Sequence, residues 1–420
     1  MLLCLILIVG LLPVDAFADD EYTVTIDSGI TGGTVTYELY TGDADTVVLT
    51  VTPTRTKENY YNYVEGSLKA TYIYEGHNYE CDIEAGDVEG EYWFFMPAAD
   101  VTVTAEFEKP TITTPVITVC DQGTTDTQYL PFYGYYSDSN TKSQILYPES
   151  LLSGAQGESL CGLRFYCETL SAYTYRATFN VYVESVSGKS FNNEFLSTDS
   201  ATLVYTGKPT IEDDGGLEIP FDSDFLYTGG DLLITFDCVS PSGYCKAYFY
   251  GEAYSGAGIY QRYSGSNIYS VDVLPKMSLL KTKEAAVSGI TLANVTGATL
   301  SCDETFALEG STVSLTAAPD EGYVIYAVRM SYQAGSETET VSVNQTDENT
   351  YSFTMPGADV TVTAEVLDDH FSGGEGTEES PYLIKDVDDL KLLSYLVNNG
   401  EDTSGKFYRL ENDIDLSGVS

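Results

Sequence analysis

Residues 353–366 read FTMPGADVTVTAEV, in which Val360, Val362, Ala364 and Val366 alternate with Thr361, Thr363 and Glu365. This period of two predicts a strand with one buried and one solvated face. Pro356 cannot donate to a ladder and biases Met355 toward extended geometry, so Met-Pro marks the entry into the strand. Asp359 is a typical turn residue. Almost the same words, FFMPAADVTVTAEF, stand at 94–107, with Asp100 ahead of the valines. A half-buried strand needs only the alternation and does not require Met-Pro, a small residue and Ala-Asp twice. The pattern therefore predicts a repeated module, and upstream segments agree. TVVLTVTP (46–53) and TVSLTAAP (312–319) both alternate and close on Pro, while TGGTV (31–35) and TGATL (296–300) precede them in the same order.

Between the copies, residues 110–285 carry strand signals at short intervals: SLCGLRFYC, ATFNVYVESV, ATLVYTG, LEIPF, DLLITFDCV, YCKAYFYG and YSVDVLPKMSLL. Turn words such as GAQGE, SVSGKS, EDDGG and YTGG separate them. Seven or more short strands in about 175 residues favour a two-sheet, jelly-roll-like sandwich. After residue 367 the pattern changes. A Gly-rich linker leads into PYLI, read as a strand. Asp386 then caps a helix with Val387, Leu390, Leu393 and Val397 as its apolar stripe and Asn399-Gly400 as its stop. FYRLENDIDL returns to strand.

Three resemblances follow from these words. The repeated F-T-M-P-x-x-D-V-T-V-T-A ending resembles the small bacterial surface repeats of the internalin-B and Listeria–Bacteroides type, over roughly 160 of the 420 residues. It implies a stalk or spacer in an exported protein and no chemistry. YGYYSDSNTKSQILYP, GLRFY and YTGGDLLITF are similar to β-sandwich modules in surface proteins of gut bacteria, which implies ligand binding or adhesion. GEGTEESPYLI with NDIDL (Asn412 to Leu416) resembles the opening of the right-handed β-helix of bacterial adhesins. A first coil of such a solenoid cannot bury its own face, so further domains are expected beyond Ser420, with a poorly packed tail here.

The N-terminus supports export. Leu2 to Leu12 is an apolar run, Pro13 breaks it, and Ala16-Phe17-Ala18 is a small-x-small cleavage site before Asp19. The run is too short to span a bilayer. No Lys or Arg precedes it, which departs from the usual leader and leaves a start further upstream open as a reading. Nothing after residue 18 reads as transmembrane.

Composition narrows the partners. With 64 acidic against 19 basic residues the formal net charge is −45, so a nucleic-acid backbone is repelled. Such acidity keeps an exported protein soluble and leaves scattered calcium sites open as a reading. Asp43/Asp45, Asp222/Asp224 and Asp413/Asp415 are carboxylate pairs of the required spacing, and equally strand ends or turns; no EF-hand loop is present. Two histidines, His77 and His370, cannot make a zinc site alone. Leaving out Cys4, seven cysteines remain, an odd number that cannot pair fully within one chain. Cys161 and Cys167 lie too far apart on one strand to bridge. Cys238 and Cys245 flank VSPSGY, a hairpin-like loop that admits a disulfide; the other reading is small buried thiols.

Tyrosine is the unusual ingredient. Tyr133, Tyr135 and Tyr136 crowd one loop, and seven tyrosines from Tyr244 to Tyr269, including Tyr254 and Tyr260, fill 243–270. Gly and Ser around 254–270 predict a mobile loop there. Exposed tyrosines stack on sugar C–H faces while the hydroxyl stays wet. Same-face strand tyrosines such as Tyr248 and Tyr250 are equally ordinary packing. No nucleophile elbow, Cys/His arrangement, P-loop or dinucleotide fingerprint is found in context.

The sequence thus predicts a mainly β, multi-domain chain: signal peptide 1–18, β repeat 19–109, sandwich 110–285, β repeat 286–367, and a linker with a β-helix start and one short helix at 368–420. The expected role is a non-catalytic, extracellular, cell-surface or wall-associated protein that binds a host or environmental glycan or protein. No nucleic acid, membrane insertion or cofactor is expected. The alternatives are the non-catalytic N-terminal region of a secreted carbohydrate-active enzyme and a structural stalk.

Overall fold

A computed structural model of the chain describes residues 22–41, 45–168 and 172–417. The expected signal peptide with Cys4, and Asp43 of the first carboxylate pair, lie outside the described residues. The protein is mainly β, with several sheets, two short helices and, among the described residues, no barrel. Two compact units divide it, Met1–Pro110 with Glu284–Ser420, and Thr111–Lys283.

The first unit contains two modules with the same strand order. In the earlier one, Val24–Ile26, Val101–Thr104, Lys69–Tyr74 and His77–Glu80 form one sheet. Gly33–Thr41, Asp45–Pro53, Glu91–Phe95 and Glu84–Ala85 form the other. In the later one the corresponding rows are Val287–Leu292, Val360–Asp368, Tyr323–Ala334, Glu337–Ser342 and Ala298–Ser301, Thr312–Pro319, Thr350–Thr354, Asn344–Asp347; Phe306–Leu308 adds an edge. Each module closes by laying its first strand parallel to the strand of the repeated word, Val24 against Val101 and Ile290 against Val360.

That closure explains the repeated word. Phe94, Val101 and Val103 in one copy and Phe353, Met355, Val360 and Val362 in the other are buried, each contributing about 1.5–3 kcal/mol of apolar burial. Parallel pairing cannot be made by a tight turn, so the first strand needs another tether. Asp100 Oδ1 accepts from Thr23 N at 2.8 Å and Thr23 Oγ1 at 2.9 Å. Asp359 Oδ1 accepts from Gly289 N at 2.6 Å. The aspartate is therefore a clamp on the parallel strand as well as a turn residue.

In the second unit, one sheet runs through Tyr173–Thr174, Thr210–Ile211, Gly216–Leu226, Ser159–Glu168, Met277–Glu284 and Thr111–Val119. The other runs through Thr202–Gly207, Thr178–Val186, Asp231–Ser240, Lys142–Tyr147, Tyr248–Gln261 and Ile268–Pro275, with Thr125–Thr127 on the long strand. The end of Ser159–Glu168 joins them through Cys167 and Glu168, paired with Phe249 and Tyr248. Between them lies one core containing Phe132, Tyr147, Phe165, Tyr175, Phe179, Phe236 and Phe249. Residues 254–261, expected in a mobile loop, belong instead to the strand Tyr248–Gln261, which pairs with Ile268–Pro275 across a register shift between Ala253 and Gly258. The glycines there mark close approach: a Cβ on Gly258 would sit 2.5 Å from Gln144 O, and one on Gly251 2.4 Å from Leu274 O.

At the C-terminal end Tyr382–Ile384 pairs parallel with Tyr408–Leu410, and helix Val387–Asn398 connects them. Asp386 caps it, accepting from Asp388 N at 3.0 Å and Asp389 N at 3.1 Å. The buried stripe differs from the expected one: Leu392 and Asp389 are buried, while Val397 is 53% exposed. Asp389 is tolerated inside because its carboxylate accepts from Ser372 N at 2.8 Å and Lys385 N at 2.9 Å, satisfying the charge it buries.

Candidate ligand-binding face

The tyrosines of the sandwich unit come together through two loops clipped to each other. Gly134–Tyr136 is a single 3₁₀ turn. Cys245 N donates to Gly134 O at 3.2 Å and Ser242 N to Ser137 O at 3.2 Å. Ser137, fully buried, places Oγ 2.8 Å from the carbonyls of both Gly134 and Gly243. A Cβ at position 134 would lie 2.3 Å from Cys245 O, so only glycine admits this approach.

On this support the rings form a continuous network. Tyr260 stacks on Tyr129 at 4.7 Å between centroids and on Tyr269 at 5.2 Å. Tyr133 meets Tyr129 at 5.0 Å, Tyr136 at 5.1 Å and Tyr260 edge-on at 5.5 Å. Tyr135 continues the row to Tyr136 at 5.4 Å and Tyr244 at 5.2 Å. These separations are those of favourable aromatic pairs, each adding about 0.5–1.5 kcal/mol beyond area burial.

The five tyrosines singled out in the sequence divide by burial. Tyr133 and Tyr260 are buried and build the floor. Tyr136 is half-buried and Tyr135 is 45% exposed. Tyr254 is exposed and joins none of these ring contacts. The outward rings are Tyr135 and, not singled out from sequence, Tyr244 and Tyr269. Burial pushes the phenols of Tyr133 and Tyr260 above their ordinary range, so both hydroxyls stay protonated donors.

Two cations accompany the rings, and sequence reasoning missed both. The Arg262 guanidinium carbon lies 5.1 Å from the Tyr269 ring centre and 5.5 Å from that of Tyr136. Lys246 Nζ lies 4.6 Å from the Tyr248 ring, inside cation–π range. A hydrogen bond to Tyr260 raises the Arg262 pKa, and one to Tyr248 raises that of Lys246, so both stay charged. Among the described residues neither has a carboxylate within 4.0 Å, and Arg262 Nε is buried without a hydrogen-bond partner. A single Arg and a single Lys inside a tyrosine-rich tract are the only trace of this pairing in the sequence.

Cys238 and Cys245 do not form the disulfide their spacing admits; both are free thiols. Asp231–Ser240 pairs with Lys142–Tyr147 and Thr178–Val186 and not with the chain that follows it. Cys238 turns inward, with Sγ 3.3 Å from Ser137 O, and Cys245 is carried to the Gly134 loop. Burial pushes the Cys238 thiol up to about 11. Among the described residues no three His, Cys, Asp or Glu side chains cluster as metal ligands. Asp224 accepts from Ser159 Oγ and Asp415 from Ser417 N.

Against known proteins, residues 288–366 match the divergent InlB B-repeat domain family. This places a bacterial surface-protein-type repeat in the later module. No curated protein matches. Among solved structures, the crystal structure of domains A168-A170 from titin aligns at 9% identity over 80% of this chain and 92% of that one. Its TM-score is 0.12, a likeness that carries no argument.

Proposed function

We propose that this is an exported bacterial cell-surface protein whose sandwich unit binds a glycan or protein ligand without chemistry, with repeat modules as spacers. The observation that carries the reading is the tyrosine face: a row of outward rings, Tyr135, Tyr244 and Tyr269, laid on a floor of buried tyrosines. Residues 22–108 are on this reading a second, diverged copy of the matched repeat, supported by the shared strand order and the equivalent Asp100 and Asp359 clamps. The strand, helix and parallel strand from Tyr382 to Leu410 are the first step of a solenoid, with Phe407, Leu410 and Leu416 exposed.

The test is a glycan array probed with the intact chain, with and without calcium, beside a Tyr135→Ala, Tyr244→Ala double variant. Saturable binding lost in the variant supports a lectin-like face. A folded wild-type chain that binds no sugar overturns the glycan form of the reading and leaves a protein ligand for this face.

A further inference from the structure

We infer that the ligand of the tyrosine face is an acidic oligosaccharide, one that sets a sugar ring beside a carboxylate or sulfate. This rests on the binding reading above and deepens it.

The argument is one of charge placement. The chain carries 64 acidic and 19 basic residues. Most cations of this chain sit beside a carboxylate: among the described residues at least eleven of the 19, from Lys57 to Arg409, lie in ion pairs. Arg262 and Lys246 are held among tyrosines instead, with no carboxylate in reach among the described residues. Lys246 follows Cys245, whose N donates to Gly134 O in the turn that carries Tyr135 and Tyr136, and Arg262 lies over Tyr136, so both cations belong to the same pair of clipped loops.

Packing alone does not account for the arginine. Its Nε is shielded from water and lacks an acceptor, a cost that an apolar side chain there would avoid. A guanidinium laid across Tyr136 and Tyr269 is oriented, and its planar fork suits a carboxylate or sulfate. The exposed rings of Tyr135 and Tyr244 beside it offer the apolar platform that a pyranose C–H face requires. The rest of the acidic surface does not forbid an anionic ligand, because at physiological salt charges beyond about 8 Å are largely screened. It does select against long polyanions, whose flanking charges would run over acidic surface.

The proposal is tested by calorimetric titration of the intact chain with four short probes. They are an oligogalacturonide, the same oligosaccharide with its carboxylates reduced to hydroxymethyl groups, a carrageenan oligosaccharide bearing only sulfates, and its desulfated form. The expected result is at least tenfold tighter binding of one charged probe than of its uncharged counterpart, which also says whether carboxylate or sulfate is read. That preference is expected to vanish in Arg262→Gln, Lys246→Gln, while weak binding of the neutral probe persists. Equal binding of charged and neutral probes overturns the acidic assignment and leaves the glycan reading standing. A charge preference that survives in the double variant overturns the site. No binding of any probe by a chain with native near-ultraviolet circular dichroism overturns both.

Discussion

Asp359 shows how a residue that reads as a turn can hold a module closed. Its carboxylate accepts from Gly289 N and from Lys57 Nζ at 2.9 Å. The backbone hydrogen bond, then the lysine, hold its pKa below the ordinary carboxylate range. A carboxylate with a depressed folded pKa contributes stability that is present above the unfolded value of about 3.9 and lost as pH falls through the folded value. Asp359→Ala is therefore expected to lower the stability of the later module by about 1 kcal/mol at neutral pH. The gap should narrow as pH falls below the unfolded value and close only once pH is below the depressed folded value. Thermal unfolding at pH 7 and pH 3 checks both points, and a gap unchanged at pH 3 contradicts the clamp. The thiols give a second residue-scale expectation. Burial raises both thiols, Cys238 to about 11, but Cys238 is closed to reagent while Cys245 is half-buried and reachable. Since the thiolate is the reactive form, native alkylation near pH 8 is expected to label Cys245 and spare Cys238 until the protein is unfolded. A mass two units light, with neither residue labelled, would restore the disulfide.

At the scale of elements, period-two alternation located the strands of the repeats because one face of each is buried and the other wet, as in TVSLTAAP, where Val313, Leu315 and Ala317 point in. Alternation says nothing about which strand lies beside which, so the parallel closure of the first strand on the strand of the repeated word was not legible. The loop expected at 254–270 failed for a definite reason. Gly258 was read as flexibility, yet it serves close backbone approach inside a 14-residue strand. The tyrosine floor was half legible: Tyr133 and Tyr135 stand in one visible run, but the edge-on contacts of Tyr133 with Tyr129 and Tyr260 are a tertiary fact. The C-terminal helix was legible in its cap and stop, while its stripe was misread because Asp389, a buried charge satisfied by two backbone donors, occupies a position that hydrophobicity assigns to solvent. It follows that Asp389→Ala, leaving two amides unpaired, costs about 1–3 kcal/mol, against a near-neutral Val397→Ser on the exposed side. Hydrogen exchange of the Val387–Asn398 amides reads the difference, and equal protection in the two variants would contradict the buried face described here.

For the molecule as a whole, stability is divided among separate cores. The sandwich core runs from Val119 to Leu279, and the modules on either side in sequence have their own, from Val24 to Ala105 and from Ala298 to Ala364. A chain built this way is not expected to unfold as one two-state system. Scanning calorimetry should resolve more than one transition. The transition of the sandwich unit, 111–283, should carry an enthalpy on the order of 120 kcal/mol near 60 °C, at about 0.7 kcal/mol per residue. Phe353→Ala removes a buried ring from the later module and is expected to cost about 3–5 kcal/mol there. Because Phe353 touches only that module's core, the sandwich transition should keep its temperature. An acidic oligosaccharide held at Arg262 and Lys246 should do the reverse, raising the sandwich transition by mass action on the folded state and leaving the module transitions in place. That pairing of a mutation and a ligand, each moving a different peak, is the outcome required if the modules only space and the sandwich alone binds. A single peak that shifts under both would mean that the cores unfold together and that the division of labour between spacer and binding unit does not hold.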